Sequence, residues 1–160
     1  MEKTPETRGA LGRSLSILIA AAALAAAGCT MPPTPGDKPA AARPDGPAGK
    51  YWKLVELRGR PVPALAREPH LLLKVEDKRA TGFGGCNGFG ANLELDEGKA
   101  RIRFEHIAAT MMACPDGLET EQAFYEALRS ADGYTLDGKR LTLHRAGGAP
   151  LARFELAQPR

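Results

Sequence analysis

The chain of 160 residues has room for one ordinary domain and a targeting segment or tail, and its 43% hydrophobic and 26% charged residues are those of a globular protein. On this length one full domain, rather than two, is expected. The formal net charge of +3 becomes +2 without the first 28 residues, and basic side chains alternate with acidic ones without forming a run, so no electrostatic footprint for nucleic acid is visible.

Lys3, Arg8 and Arg13 make a positive start, and Leu15 to Ile19 with the alanines through Ala27 form an uncharged apolar stretch, the pattern of an export signal. The stretch is shorter than the roughly 20 residues a transmembrane helix needs, so a cleaved signal fits better than a permanent span. Its end, Leu24-Ala25-Ala26-Ala27-Gly28-Cys29, resembles the lipobox of bacterial lipoproteins, in which small residues precede a cysteine that is acylated and becomes the new N-terminus. Residues 1–28 are therefore expected to be a lipoprotein signal peptide and Cys29 the lipid attachment site. The alternatives are ordinary signal cleavage that leaves Cys29 as a free thiol and a buried structural helix. Each buried methylene of an acyl chain contributes about 0.8 kcal/mol, so several chains hold a protein where one binds marginally. By the sorting rule of such lipoproteins, Thr30 after the cysteine implies a cell-envelope protein on the outer membrane, facing the periplasm, in a cell that has one.

From Met31 to Gly49 six prolines occur among alanines and glycines with almost no large apolar residue, so residues 29–49 are expected to be a disordered tether and residues 50–160 the folded domain. Strands are predicted over Tyr51 to Leu57 and Leu71 to Val75, with a loop on Gly59, Pro61 and Pro63 between them. Ala91 to Leu95 and Ala100 to Phe104 alternate apolar and polar residues around an Asp96-Glu97-Gly98-Lys99 turn. His106 is read as a strand-end residue whose polarity stops that alternation. A helix is predicted over Glu119 to Ala131, with Phe124, Ala127, Leu128 and Ala131 on one face and a capping box from Asp116 to Glu119. Its charged face of Glu119, Glu126 and Arg129 is expected in solvent. Tyr134 to Leu136, Leu141 to Leu143 and Leu151 to Leu156 close the series as strands. The fold class is α+β, an antiparallel and strongly curved sheet forming an incomplete barrel, with one helix over its mouth or seam.

Five glycines fall between Gly82 and Gly90, but no lysine with Ser or Thr follows them and no helix begins there, so a phosphate-binding loop is disfavoured against tight bends in a bulged strand. His70, His106 and His144 with Cys86 and Cys114 match no metal-ligand spacing, and no motif orients a histidine as base for a cysteine nucleophile. No metal, cofactor or catalytic residue is assigned. Met111 and Met112 are expected to fill core space, as adaptable methionines usually do, and Trp52 likewise.

Trp52 at the domain start, Gly85-Cys86-Asn87, the Thr110-Met111-Met112-Ala113-Cys114-Pro115 segment, and Glu121 with Phe124 and Leu128 occur in an order that resembles the META domain family of HslJ-like bacterial lipoproteins. The resemblance covers about Lys50 to Leu156 and marks Trp52, Gly85, Cys86, Asn87, Thr110, Met112, Cys114 and Pro115 as family motif residues. It implies a barrel-like antiparallel sheet with a helix in an envelope or secreted protein linked to stress or motility, with no shared enzymatic activity, and the expected role here is a non-enzymatic one in envelope stress, assembly or binding. Partners would be the membrane through acylated Cys29 and an envelope protein or, by analogy with secretin pilot lipoproteins, an apolar ligand held in a half-open barrel. In an oxidising periplasm Cys86 and Cys114 are expected to form a disulfide, the alternatives being two separate buried thiols or reactive or metal-binding cysteines.

Overall fold

The computed structural model describes residues 43–145 and 148–159. The expected signal segment, Cys29 and most of the proline-rich stretch lie outside the described residues. Among the described residues there are nine strands: β1 (Tyr51–Leu57), β2 (Arg60–Pro61), β3 (His70–Lys74), β4 (Arg79–Phe83), β5 (Gly88–Asp96), β6 (Arg101–Ala109), β7 (Gly133–Asp137), β8 (Arg140–His144) and β9 (Pro150–Ala157). A helix, α1 (Leu118–Ser130), connects β6 to β7. From β3 to β9 each strand pairs antiparallel with the next, and β1 pairs with both β3 and β9, so the sheet curls into a ring. The ring is uneven. β5 and β6 share a ladder running from Phe89 to Asp96, whereas β6 and β7 meet at one ladder pair, Arg101 opposite Gly133. This is the expected α+β architecture, a curved sheet incompletely closed into a barrel.

Alternate side chains of each strand point to one face, and here that face is the ring interior. Trp52 and Leu54 of β1, Leu71 and Leu73 of β3, Ile102 of β6, Leu141 and Leu143 of β8 and Phe154 of β9 are each no more than 1% exposed. Phe124, Ala127 and Leu128 of α1 join them, with Phe124 edge-on to Phe89 at 5.6 Å between centroids. The predicted helix face is therefore the observed one. Side chains fill the interior of the ring.

The folded unit begins upstream of Lys50. Gly46, Pro47 and Ala48 are buried, the Trp52 indole N–H donates to the Pro47 carbonyl at 2.7 Å, and the Gly49 N–H donates to Leu73 O at 2.8 Å. A buried indole N–H needs an acceptor, and the proline-rich stretch supplies one through its backbone, which composition does not reveal.

Four local expectations are corrected. The loop on Gly59 and Pro61 is a hairpin: Arg58 and Gly59 both have positive φ (48° and 79°), the signature of a two-residue turn matched to strand twist, and β2 pairs with the end of β1. The glycine-rich stretch is not one bulged strand, because it ends β4, turns through Gly84 to Asn87 and begins β5. β6 does not stop near His106. Gly90 faces Ala108 while Asn92 faces Glu105, so β6 carries an extra residue there, and His106 takes φ 50°; the bulge shifts the side-chain phase while the strand continues. The capping box is absent, since the residue before α1 is Gly117 at φ 83° and no side chain caps the helix.

Candidate functional site

The turn between β4 and β5 and the loop from β6 to α1 are joined by a disulfide between Cys86 and Cys114, whose Cα atoms lie 5.8 Å apart. Beside it sit two buried polar side chains, Asn87 at 3% exposure and Glu121 at 5%. Glu121 lies in the first helical turn, three residues before Phe124 and on the same face, so the helix that buries Phe124 buries the carboxylate too. One carboxylate oxygen accepts the backbone N–H groups of Asn87 at 2.5 Å and Cys86 at 3.2 Å, and the other accepts the Asn87 side-chain N–H at 2.9 Å. Among the described residues no cation pairs with Glu121. Its charge is answered by these donors and by the positive end of the helix dipole.

Asn87 is the hub. Its amide oxygen accepts from the Thr110 hydroxyl at 2.9 Å and from the Met112 backbone N–H at 2.7 Å. A carboxylate accepts only and a backbone N–H donates only, so the two neighbours together determine which way the amide points. The Asn87 carbonyl accepts from Gly84 N–H at 2.8 Å and from the Tyr125 hydroxyl at 3.4 Å. Burial above all, and then the negative charge of Glu121, push the Tyr125 phenol well above its ordinary range. Gly85 and Gly117 meet backbone to backbone: both have positive φ (131° and 83°), and a Cβ on Gly85 would come 2.8 Å from Gly117 O. Only glycine permits both the conformation and the approach.

Of the expected motif residues, the structure brings together Gly85, Cys86, Asn87, Thr110, Met112 and Cys114. Trp52 stands apart in the core, hydrogen-bonded to Pro47. Pro115 is exposed on the loop. The carboxylate that organises the cluster, Glu121, was legible only as a helix-dipole residue and family position, because a glutamate on a helix is ordinarily counted as solvated. Met111 and Met112 do not fill the core: Met111 is 99% exposed and Met112 57%, and Leu118 at the end of the same loop is 49% exposed. The Asn87 bond to the Met112 backbone and the disulfide at Cys114 hold this loop against the turn, which turns both methionine side chains outward.

His70 stacks between Tyr51 and Phe83, at 4.5 and 6.4 Å between centroids, and burial lowers its pKa. His106 lies at the β6 bulge, within 3.3 Å of the Asn92 amide. His144 ends β8 beside Gly133. Among the described residues, no group of three His, Cys, Asp or Glu side chains is placed to hold a metal ion, and no helix is long and apolar enough to cross a membrane. Within the cluster each amide, carboxylate and hydroxyl is engaged by another, so the arrangement fixes a loop in place.

The family model of the META domain matches residues 47–158, which takes in the whole ring and the cluster. The chain belongs to the META domain family. No curated protein matches it. This META domain is similar to the NMR structure of a protein from Burkholderia xenovorans, with TM-score 0.55 and 22% identity over 81% of this chain and 100% of that one. It is also similar to the crystal structure of a DUF4847 family protein from Bacteroides vulgatus, with TM-score 0.51 and 18% identity over 71% of this chain and 96% of that one. At such identities the likeness shows a shared fold alone.

Proposed function

We propose that this META domain is the non-enzymatic binding end of an envelope lipoprotein, held at the outer membrane through acylated Cys29 and working through the loop from Thr110 to Leu118. The observation that carries the reading is the pairing of exposure with rigidity. Large apolar side chains on a soluble surface cost solvation, and Met111, Met112 and Leu118 are the large hydrophobic residues exposed among the described residues. They sit on a loop tied by a disulfide, by two hydrogen bonds to a buried asparagine and by a glycine-to-glycine backbone contact. A loop ordered in advance loses little further entropy on binding, and methionine adapts its shape to what it meets. Both cysteine sulfurs of the domain are bonded to each other, so neither offers a thiolate nucleophile, which supports a binding role over catalysis.

The test replaces both methionines in the full-length protein (Met111→Ser with Met112→Ser) and follows growth under heat, detergent and antibiotic challenge. The double variant should match deletion of the domain while retaining alkyne fatty-acid labelling at Cys29. Wild-type tolerance in the double variant would remove the loop from the function, and an untagged wild-type protein would remove the anchor. The alternative, a carrier of a lipid or small apolar ligand inside a half-open barrel, gains no support from a ring interior that side chains already fill.

A further inference from the structure

We infer that Met111 and Met112 are a reversible oxidation site through which the loop is switched; the switching, though not the chemistry, rests on the binding role proposed for the loop. Among the described residues these two carry the thioether sulfurs, and they are 99% and 57% exposed. The domain's other soft targets, its cysteines and its tryptophan, are withdrawn. Cys86 and Cys114 are already bonded to each other, and Trp52 has no exposure. An oxidant that reaches the domain therefore meets the methionine pair first.

The reaction is an oxygen-atom transfer from a peroxide or a hypohalous acid. An S–O bond forms, the O–O or O–halogen bond breaks, and water, or halide and a proton, leaves, with the sulfur oxidised by two electrons to the sulfoxide. A dithiol acting through methionine sulfoxide reductases returns the thioether, giving two electrons to become a disulfide while the oxygen departs as water. In a core this change disrupts packing. Here neither side chain belongs to the core cluster. The loop is held instead at alternate residues by groups that the oxidant leaves alone. Thr110 donates its backbone N–H to Gly88 O at 3.0 Å and its hydroxyl to Asn87, Met112 donates its backbone N–H to Asn87, and Cys114 is bonded to Cys86. Oxidation thus leaves the clamp standing and replaces an apolar tip by two strong hydrogen-bond acceptors, which are costly to bury against an apolar partner surface.

The test exposes the full-length protein, purified in detergent, to limiting hydrogen peroxide or hypochlorite. By mass spectrometry the peptide holding Met111 and Met112 should gain one and then two oxygens, Met111 leading, with Trp52 unmodified. The melting temperature of the doubly oxidised protein should stay within about 3 °C of the untreated one. Reductases for both sulfoxide epimers, supplied with a dithiol, should restore the original mass. A larger fall in melting temperature, attack on Trp52 ahead of the methionines, or sulfoxides that the reductases leave in place would overturn the site. In cells, Met111→Leu with Met112→Leu should keep envelope tolerance through a sublethal oxidant pulse that lowers it in wild type. Met111→Gln with Met112→Gln, which imitates sulfoxide polarity, should match the double serine variant without any pulse. A leucine variant as sensitive to the pulse as wild type would remove the switch. If the serine and glutamine variants both keep wild-type tolerance, the binding role falls, while the oxidation site, read by mass alone, stands.

Discussion

Asn87 and Glu121 remove each other's polar groups from water at low cost because donor and acceptor numbers match. Glu121→Gln keeps the shape but exchanges one acceptor oxygen for a donor amide, which must then face an N–H group. Hydrogen bonds to a charged acceptor contribute about 1.5–3 kcal/mol each, so the variant should lose at least about 2 kcal/mol in urea unfolding. A loss under 0.5 kcal/mol would mean that the network contributes little. Tyr125 makes a prediction about pH. Its folded pKa is raised, by burial first, so its stabilising effect is complete below pH 10, the ordinary tyrosine value, and declines as pH rises beyond it. Tyr125→Phe should reduce the slope of stability against pH above about pH 10 by up to roughly 1.4 kcal/mol per pH unit, leaving the share of Tyr134, whose pKa burial also raises. Denaturant midpoints measured at successive alkaline pH values check it. In the sequence, Cys86, Asn87 and Cys114 were visible as motif residues and Met111 and Met112 were misplaced. Methionine is usually buried, and nothing local says that its backbone will be tied inward and its side chain turned out.

At the scale of elements, periodicity served where one face of an element is buried along its whole length. β1 matched residue for residue, and the apolar face of α1 was read from Phe124, Ala127, Leu128 and Ala131. It failed where tertiary contacts set the geometry. β4, Arg-Ala-Thr-Gly-Phe, has too few apolar residues to alternate clearly and is a strand because β3 and β5 pair with it on either side. The start of α1 is decided by Gly117 against Gly85. Gly117→Ala would place a side chain at φ 83° against the Gly85 carbonyl, and should cost about 2–3 kcal/mol. Gly98→Ala, at ordinary φ with its nearest neighbour atom at 3.4 Å, should change stability by under about 1 kcal/mol. Thermal unfolding of the pair checks the contrast, and equal losses would count against the backbone contact as the cause.

For the molecule as a whole, the disulfide closes a loop of sequence separation 28. In the chain-entropy account such a loop stabilises by about 3.5 kcal/mol, so replacing both cysteines with alanine should lower the melting temperature by roughly 10–20 °C. A shift of only a few degrees would leave the hydrogen-bonded clamp as the main restraint. Ring closure makes a separate prediction. The β6–β7 seam has a single ladder pair, flanked by the Ile102 N–H to Asp132 O bond at 3.3 Å and the Tyr134 N–H to Ala100 O bond at 3.0 Å. Those amides should exchange with deuterium faster than the β5–β6 and β1–β9 amides, because local opening needs the fewest bonds broken there. Uniform protection around the ring would show that α1 locks the seam as firmly as a full ladder would.

The sequence by itself determined the α+β class, most strands, the apolar face of the helix and the motif residues. Each of these follows from local alternation, turn chemistry or residue order, which a linear reading preserves. Only the tertiary structure decided that a glutamate would be buried against an asparagine, that two methionines would face solvent, and that a proline carbonyl ahead of the domain would serve a core tryptophan. Those outcomes depend on which donors, acceptors and backbone atoms meet across distant segments, and spacing along the chain carries no record of such meetings.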